Sequence, residues 1–220
     1  MIVTIDGPAG TGKSTAAKRL AAALGFEYLD TGAMYRAVAA LCLEAEVELN
    51  SLGAAEIART SAITFQGGRT IARGLDVTEF LRSPEVTQAA SIVAQHPEVR
   101  AALVARQREL AGVLNFVCEG RDQGTVVFPQ AECKFFLTAS PEERARRRMQ
   151  ELALAGKHVS FEELLTQQRE RDERDVTRSV APLRPANDAI VIDTTSISLA
   201  EVLVRLEKEV RQRMGVVAMD

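Results

Sequence analysis

A chain of 220 residues has room for one sizeable domain, or for a core domain that carries a smaller insert. Hydrophobic residues at 46% and charged residues at 26% exclude a disordered or fibrous chain. A formal net charge of -3 argues against a protein whose main task is coating nucleic acid or an anionic membrane. Only five of the 27 basic residues are lysine. The planar arginine fork suits phosphate and carboxylate, so the skew is compatible with several phosphate contacts; an Arg-rich genome gives the same skew. Cys42, Cys118 and Cys133 are odd in number, form no C-x-x-C pair and sit in apolar stretches, so they read as reduced core residues. With His96 and His158 the only histidines, no zinc-type ligand cluster is expected.

In chain order, the apolar run Met1 to Ile5 meets Asp6 at once, too short for a signal sequence, and no later run approaches the roughly 20 residues that span a bilayer. A cytoplasmic protein is expected. Ile2 to Ile5, Tyr28-Leu29, Phe116 to Cys118, Phe135 to Leu137 and Ile190 to Ile192 are each too short for a helix and alternate with helical segments. That alternation predicts an α/β fold around a five-stranded parallel sheet buried on both faces. The first helix starts at Lys13, puts Ala17, Leu20, Ala21 and Leu24 on one face and ends at Gly25. A second follows Asp30-Thr31, and the last runs from about Leu199 to Met214. Between Ile63 and Gln95 the pattern changes: Gly67-Gly68 and Arg73-Gly74 separate short β-type runs, and Ser83-Pro84-Glu85 then opens a helix. This reads as a small antiparallel meander inserted on the substrate side. Pro141 to Asp175 reads as charged helix interrupted at Gly156-Lys157-His158.

Gly7-Pro8-Ala9-Gly10-Thr11-Gly12-Lys13-Ser14 fits G-x-x-x-x-G-K-[ST], with a strand before it and a helix after it. Glycines let backbone N–H groups reach phosphate, Lys13 reaches the β- and γ-phosphates, and the Ser14 hydroxyl is a magnesium ligand. A nucleoside triphosphate with Mg²⁺ is therefore expected, bound by Gly7 through Thr15. An N-K-x-D base signature does not occur, which weakens a GTPase reading. Asp30 to Arg36 and Glu119 to Thr125 both follow strands, where open α/β folds bind ligands.

The segments Thr4 to Thr15 (TIDGPAGTGKST), Leu29 to Arg36 (LDTGAMYR), Glu119 to Pro129 (EGRDQGTVVFP) and Arg169 to Leu183 (RERDERDVTRSVAPL) make the chain resemble the bacterial-type cytidylate kinases, among the nucleoside monophosphate kinases, nearly end to end. The resemblance implies a P-loop kinase fold with a core at 1–60, 96–145 and 180–220, a nucleoside-monophosphate-binding insert at 61–95 and a helical lid at 146–179. It also implies that Thr31, Tyr35, Arg36, Ser91, Arg100, Arg121, Asp122, Arg171, Asp175 and Arg178 bind the acceptor, CMP or dCMP. Cytosine offers an amino donor beside two acceptors, so Asp122 suits the donor, and Ser91 and Arg100 the acceptors. Arg36 and Arg121 suit the acceptor phosphate. Arg171 and Asp175 share a helical face suited to a sugar; alone, that stretch reads more readily as a solvated, salt-bridged helix. Of Arg144, Arg146, Arg147 and Arg148, Arg147 is the one aimed at the donor phosphates, with the others at the surface. Lys13, Arg121 and Arg147 form the catalytic set.

A phosphate oxygen is already largely ionised at pH 7, given a second pKa near about 6, so no general base is required. Thr31 stands where the family often has serine, and the hydroxyl survives. Glu119 stands where a shorter acid is frequent, which favours contact with magnesium through water. A monomer is expected, with neither nucleic acid nor membrane as partner. The competing readings are a kinase for UMP or another small acceptor, and a P-loop switch or ATPase module.

Overall fold

In the computed structural model, which describes residues 1–66, 69–112, 115–154 and 156–215, the chain opens with β1 (Ile2–Asp6), α1 (Lys13–Leu24), β2 (Glu27–Asp30), α2 (Thr31–Glu44) and α3 (Leu52–Thr60). There follow β3 (Ile63–Gln66), β4 (Arg69–Ala72), β5 (Leu75–Asp76), a 3₁₀ turn at Phe80–Arg82, α4 (Pro84–Val93) and α5 (Pro97–Ala111). The remainder is β6 (Phe116–Gly120), a π-helical turn at Gln123–Val127, β7 (Cys133–Thr138), α6 (Pro141–Leu154), α7 (Phe161–Thr177), β8 (Ile190–Asp193) and α8 (Leu199–Arg213).

The five short apolar runs become one sheet in the order β2-β6-β1-β7-β8. β1 is parallel to both neighbours, with Val3 opposite Val117 and Cys133, and β7 is parallel to β8, with Phe135 opposite Ile190. Val3, Ile5, Val117, Phe135 and Leu137 are buried with Leu20 of α1 and Leu206 of α8, which cover that face of the central strands; the expected burial on both faces does not extend to the edge strand β8, where Val191 is 56% exposed. The helix ends follow side-chain chemistry. Gly25 closes α1 in a left-handed conformation, Asp30 accepts from the N–H of Ala33 to cap α2, and Ser198 with Glu201 forms a reciprocal capping box on α8.

The chain divides into two compact units, Met1–Leu29 with Val113–Asp220, and Asp30–Gly112. In the second unit β3, β4 and β5 form an antiparallel meander, with Gln66 opposite Arg69 and Arg73-Gly74 in the left-handed turn that joins β4 to β5. Gly67 and Gly68 lie outside the described residues. Helices α2, α3, α4 and α5 share a separate apolar core that includes Met34, Val38, Val86, Val93, Val99 and Leu103. The expected 61–95 insert falls inside this unit. The first unit also contains the hairpin of α6 and α7, whose own cluster is small: Ala145, Leu152, Leu164 and Leu165, with Val159 and Phe161 against it. Among the described residues no helix is long and apolar enough to cross a membrane.

β1 hands the chain to the glycine-rich loop at Gly7, which runs so close to β7 that an added Cβ would lie 2.0 Å from the carbonyl oxygen of Leu137, at a φ of +143°. Gly25 is also left-handed, at φ +67°, but a Cβ there would meet nothing within 4 Å. Gly7→Ala is therefore expected to cost about 3 kcal/mol or more, since strain and a backbone clash combine, and Gly25→Ala only about 1 kcal/mol. Thermal unfolding checks this: similar losses in the two variants would contradict it.

Candidate active site

At one end of the first unit's sheet, β1, β6, β7 and β8 release their loops side by side. The glycine-rich loop follows β1 and leads into α1, whose first residue, Lys13, is 5% exposed. Lys13 Nζ donates to the carbonyl of Pro8 at 2.6 Å, and Thr11 Oγ1 donates to the same carbonyl at 3.1 Å. Burial, and then the guanidinium of Arg121, push the Lys13 ammonium down to about 7. An anion at the helix N-terminus would reverse that bias by favouring the charged amine.

Glu119 does not end the strand region as a surface charge. β6 continues to Gly120 with every residue buried, and Ser14 Oγ donates to Glu119 Oε1 at 2.7 Å. The hydroxyl and the carboxylate thus meet at the loop-to-helix junction, an oxygen pair of the kind that hard divalent cations take. The apolar run stops at Cys118, and it is the family resemblance that directs Glu119 toward the magnesium side.

After β6, Arg121 Nε donates to Asp175 Oδ2 of α7 at 2.9 Å, and its Nη1 to the carbonyl of Gly120 at 3.2 Å. Burial works against both charges, yet Asp175 holds Arg121 charged and Arg121 draws the Asp175 carboxyl below its ordinary range, with Arg171 adding to it. Asp122 is 3% exposed and sits at the start of the π-helical turn, where its carbonyl accepts from the N–H of Val126 and of Val127. The carboxylate of Asp6 accepts from the N–H of Gln123 at 2.9 Å and of Gly124 at 2.8 Å. Arg178 caps α7 and donates to the carbonyl of Ala181. Arg121, Asp122 and Asp175 therefore gather after β6 and along α7.

On α6 the four arginines differ sharply. Arg146 and Arg148 pair with Glu143 and Glu151 at the surface, in line with expectation. Arg144, expected at the surface, is 3% exposed instead. It donates to the carbonyls of Ala139 and Ala9 at 3.0 and 3.1 Å and to Asp172 Oδ2 at 2.6 Å, and its stem lies against Gly10. Nε, Nη1 and Nη2 each have an acceptor, which is why burial is tolerated there. Arg147 borders a cleft of ≈330 Å³ whose walls include Thr11, Thr15, Leu137, Ile197 and Val202.

The second unit holds the other residues of the acceptor set. Thr31 is buried at the start of α2, and Arg36 one turn on pairs with Asp30 at 3.0 Å. The guanidinium of Arg100, 3% exposed, lies 5.8 Å from the centre of the Tyr35 ring. Ser91, on α4, is buried and its Oγ has no hydrogen-bond partner among the described residues.

The sequence signature of cytidylate kinases matches residues 3–212. A cytidylate kinase of Caldanaerobacter subterraneus subsp. tengcongensis is 48% identical over 96% of this chain and 94% of its own. One of Desulfitobacterium hafniense is 50% identical over 93% and 90%. Among solved structures, an uncharacterized protein from Eubacterium ventriosum superposes with a TM-score of 0.55 at 13% identity, covering 96% of this chain and 98% of its own, a likeness of fold alone. With the phosphate loop on β1, the acid-arginine turn on β6 and relatives of this identity along nearly the whole length, the chain belongs to the cytidylate kinase family.

Proposed function

We propose that this protein transfers the γ-phosphoryl group of ATP to CMP or dCMP, giving ADP and CDP or dCDP, in pyrimidine nucleotide metabolism. The observation that carries the reading is that the phosphate loop after β1 and Arg121 with the buried Asp122 after the adjacent strand β6 lie on one sheet edge, in a member of the cytidylate kinase family. The donor triphosphate lies along Gly7 to Thr15, with its base and sugar in the cleft bordered by Arg147. The acceptor is held by Thr31, Tyr35, Arg36, Ser91, Arg100, Arg121, Asp122, Arg171, Asp175 and Arg178. The insert at 61–95 serves the acceptor, and the hairpin within 146–179 serves as a lid that excludes water, since a wet site would hydrolyse ATP.

The chemistry is in-line displacement. An oxygen of the CMP phosphate attacks the γ-phosphorus, the bond to the β,γ-bridging oxygen breaks, and ADP leaves with that electron pair. Lys13 and Arg147 neutralise the donor, and Arg121 orients the acceptor phosphate. A carboxylate positioned as a general base is unnecessary because the nucleophile is already ionised. Ser14 Oγ and the Glu119 carboxylate, 2.7 Å apart, fit a magnesium ion as direct and water-bridged partners. Magnesium supplies charge neutralisation on the triphosphate when bound.

Base selectivity follows from donors and acceptors. A buried carboxylate at Asp122 accepts from the cytosine amino group, and the partnerless Ser91 hydroxyl suits a ring acceptor. Uracil replaces the amino donor by a carbonyl, which would leave a buried carboxylate facing an oxygen. Such a mismatch can discriminate by about 10⁴. The protein acts as a cytoplasmic monomer, in keeping with its modest negative charge.

Coupled ADP-release measurements test the reading directly: CMP and dCMP are expected to stimulate turnover far above UMP or AMP, and equal stimulation by all four would overturn it. Asp122→Ala is expected to raise the CMP KM roughly 10- to 100-fold while the ATP KM moves less than about threefold. A selective loss of ATP affinity would contradict that assignment. Lys13→Met is expected to lower kcat by about 10² to 10³ with an unchanged melting temperature, and a variant of near-normal kcat would remove Lys13 from the catalytic set.

A further inference from the structure

At the end of β8, Thr194 is 2% exposed, and three segments of the first unit converge on it. Its Oγ1 shares one hydrogen between the carbonyls of Thr11, at 3.2 Å, and Thr138, at 3.1 Å. The same oxygen accepts from Arg147 Nη1 at 3.2 Å, and the Thr194 carbonyl accepts from Arg147 Nη2 at 2.5 Å. The one proton and one of the two lone pairs of the hydroxyl are thereby committed to the phosphate loop, to β7 and to α6. A fourth hold comes from the backbone, where the Thr194 N–H donates to Thr138 at 2.8 Å.

The ground under Thr194 is itself fixed. Asp193 Oδ1 accepts from the N–H and the hydroxyl of Thr195, at 2.8 and 2.6 Å, and Thr195 Oγ1 accepts from the N–H of Ser140 at 2.9 Å. On its far side Arg147 Nε donates to Glu143 at 3.1 Å, so the guanidinium is clamped between a carboxylate and Thr194. Both Thr194 and Arg147 border the ≈330 Å³ cleft. A long, flexible side chain held this way reaches a ligand with little rotamer freedom left to lose.

We propose that Thr194 is a positioning residue for the donor nucleotide: its hydroxyl sets the Arg147 guanidinium and the Thr11 carbonyl of the phosphate loop in one frame beside the cleft. The inference rests on that cleft being the donor site. It gives the loop after β8 a task in phosphoryl transfer through a hydroxyl whose single proton is already donated to protein carbonyls. Valine at this position would keep the shape and remove the hydroxyl; serine would keep the hydroxyl and remove a methyl group.

The test is steady-state kinetics on Thr194→Val, Thr194→Ser, Arg147→Met and the Thr194→Val/Arg147→Met double variant, with melting temperatures alongside. Thr194→Val is expected to raise the ATP KM about 5- to 10-fold with the CMP KM within about twofold, and Thr194→Ser to bring the ATP KM back within about threefold of the parent. The double variant is expected to fall within about twofold of Arg147→Met, because the hydroxyl acts through the arginine. If Arg147→Met leaves the ATP KM unmoved, the donor-site reading falls and the inference with it. If Arg147→Met raises it while Thr194→Val does not, if serine fails to restore it, or if the two losses multiply, the positioning role alone is overturned. A Thr194→Val variant that loses ATP and CMP affinity in step with melting temperature would likewise mark a structural role only and overturn the inference.

Discussion

The carboxylate of Asp6, at the end of β1, accepts the backbone N–H groups of Gln123 and Gly124 at 2.9 and 2.8 Å. These are the first amides of a π-helical turn, groups that such a turn cannot satisfy from within itself. Burial pushes Asp6 up to about 7, and the two amides are what chiefly pull back toward the charged form. The strand that feeds the phosphate loop is thus tied to the turn that carries Arg121 and Asp122. Spacing between these two segments is set by a two-amide clamp on adjacent strands rather than by a loop free to drift.

Around that clamp the charges are arranged in depth. Lys13, Arg121 and Arg171 act on one another and on Glu119, Asp6 and Asp175, and most of this set is buried. Desolvation penalises each isolated charge, so the set persists only because carboxylates and guanidinium groups are paired. Arg121 has Asp175 and Ser14 has Glu119. Each pair offers groups that can exchange a protein partner for a phosphate or a cation, which suits a site that binds highly charged reactants and then releases them.

Much of this could be read from residue order. The five core strands announced themselves because their apolar runs are too short for helices and alternate with helical segments, and the phosphate loop because glycines, lysine and serine occur at fixed spacing between a strand and a helix. Helix α5 was harder: its buried positions include Arg100 and Gln107 among Val99 and Leu103, so polar residues interrupt the apolar stripe that would mark it. Arg144 misled for the opposite reason. Within a run of arginines and glutamates it looks solvated, and only the tertiary meeting of Ala9, Ala139 and Asp172 supplies the acceptors that let it be buried. Thr194 gave no signal because its partners lie 183, 56 and 47 residues away. Polar residues whose role depends on distant backbone carbonyls carry no local pattern.

The hairpin of α6 and α7 has a separate consequence. Among the described residues its private apolar cluster holds only four buried side chains, against fourteen in the core around the sheet. Local opening free energy scales with such burial, so the hairpin forms the low-stability cooperative piece of its unit and the central strands the high one. Arg144 reaches from this hairpin to the carbonyl of Ala9 and back to Asp172 on α7. In hydrogen-exchange terms, the amides of α7 would then report the state of the phosphate loop, and a donor nucleotide that stiffens the loop would slow exchange in a helix that does not line the cleft beside Arg147.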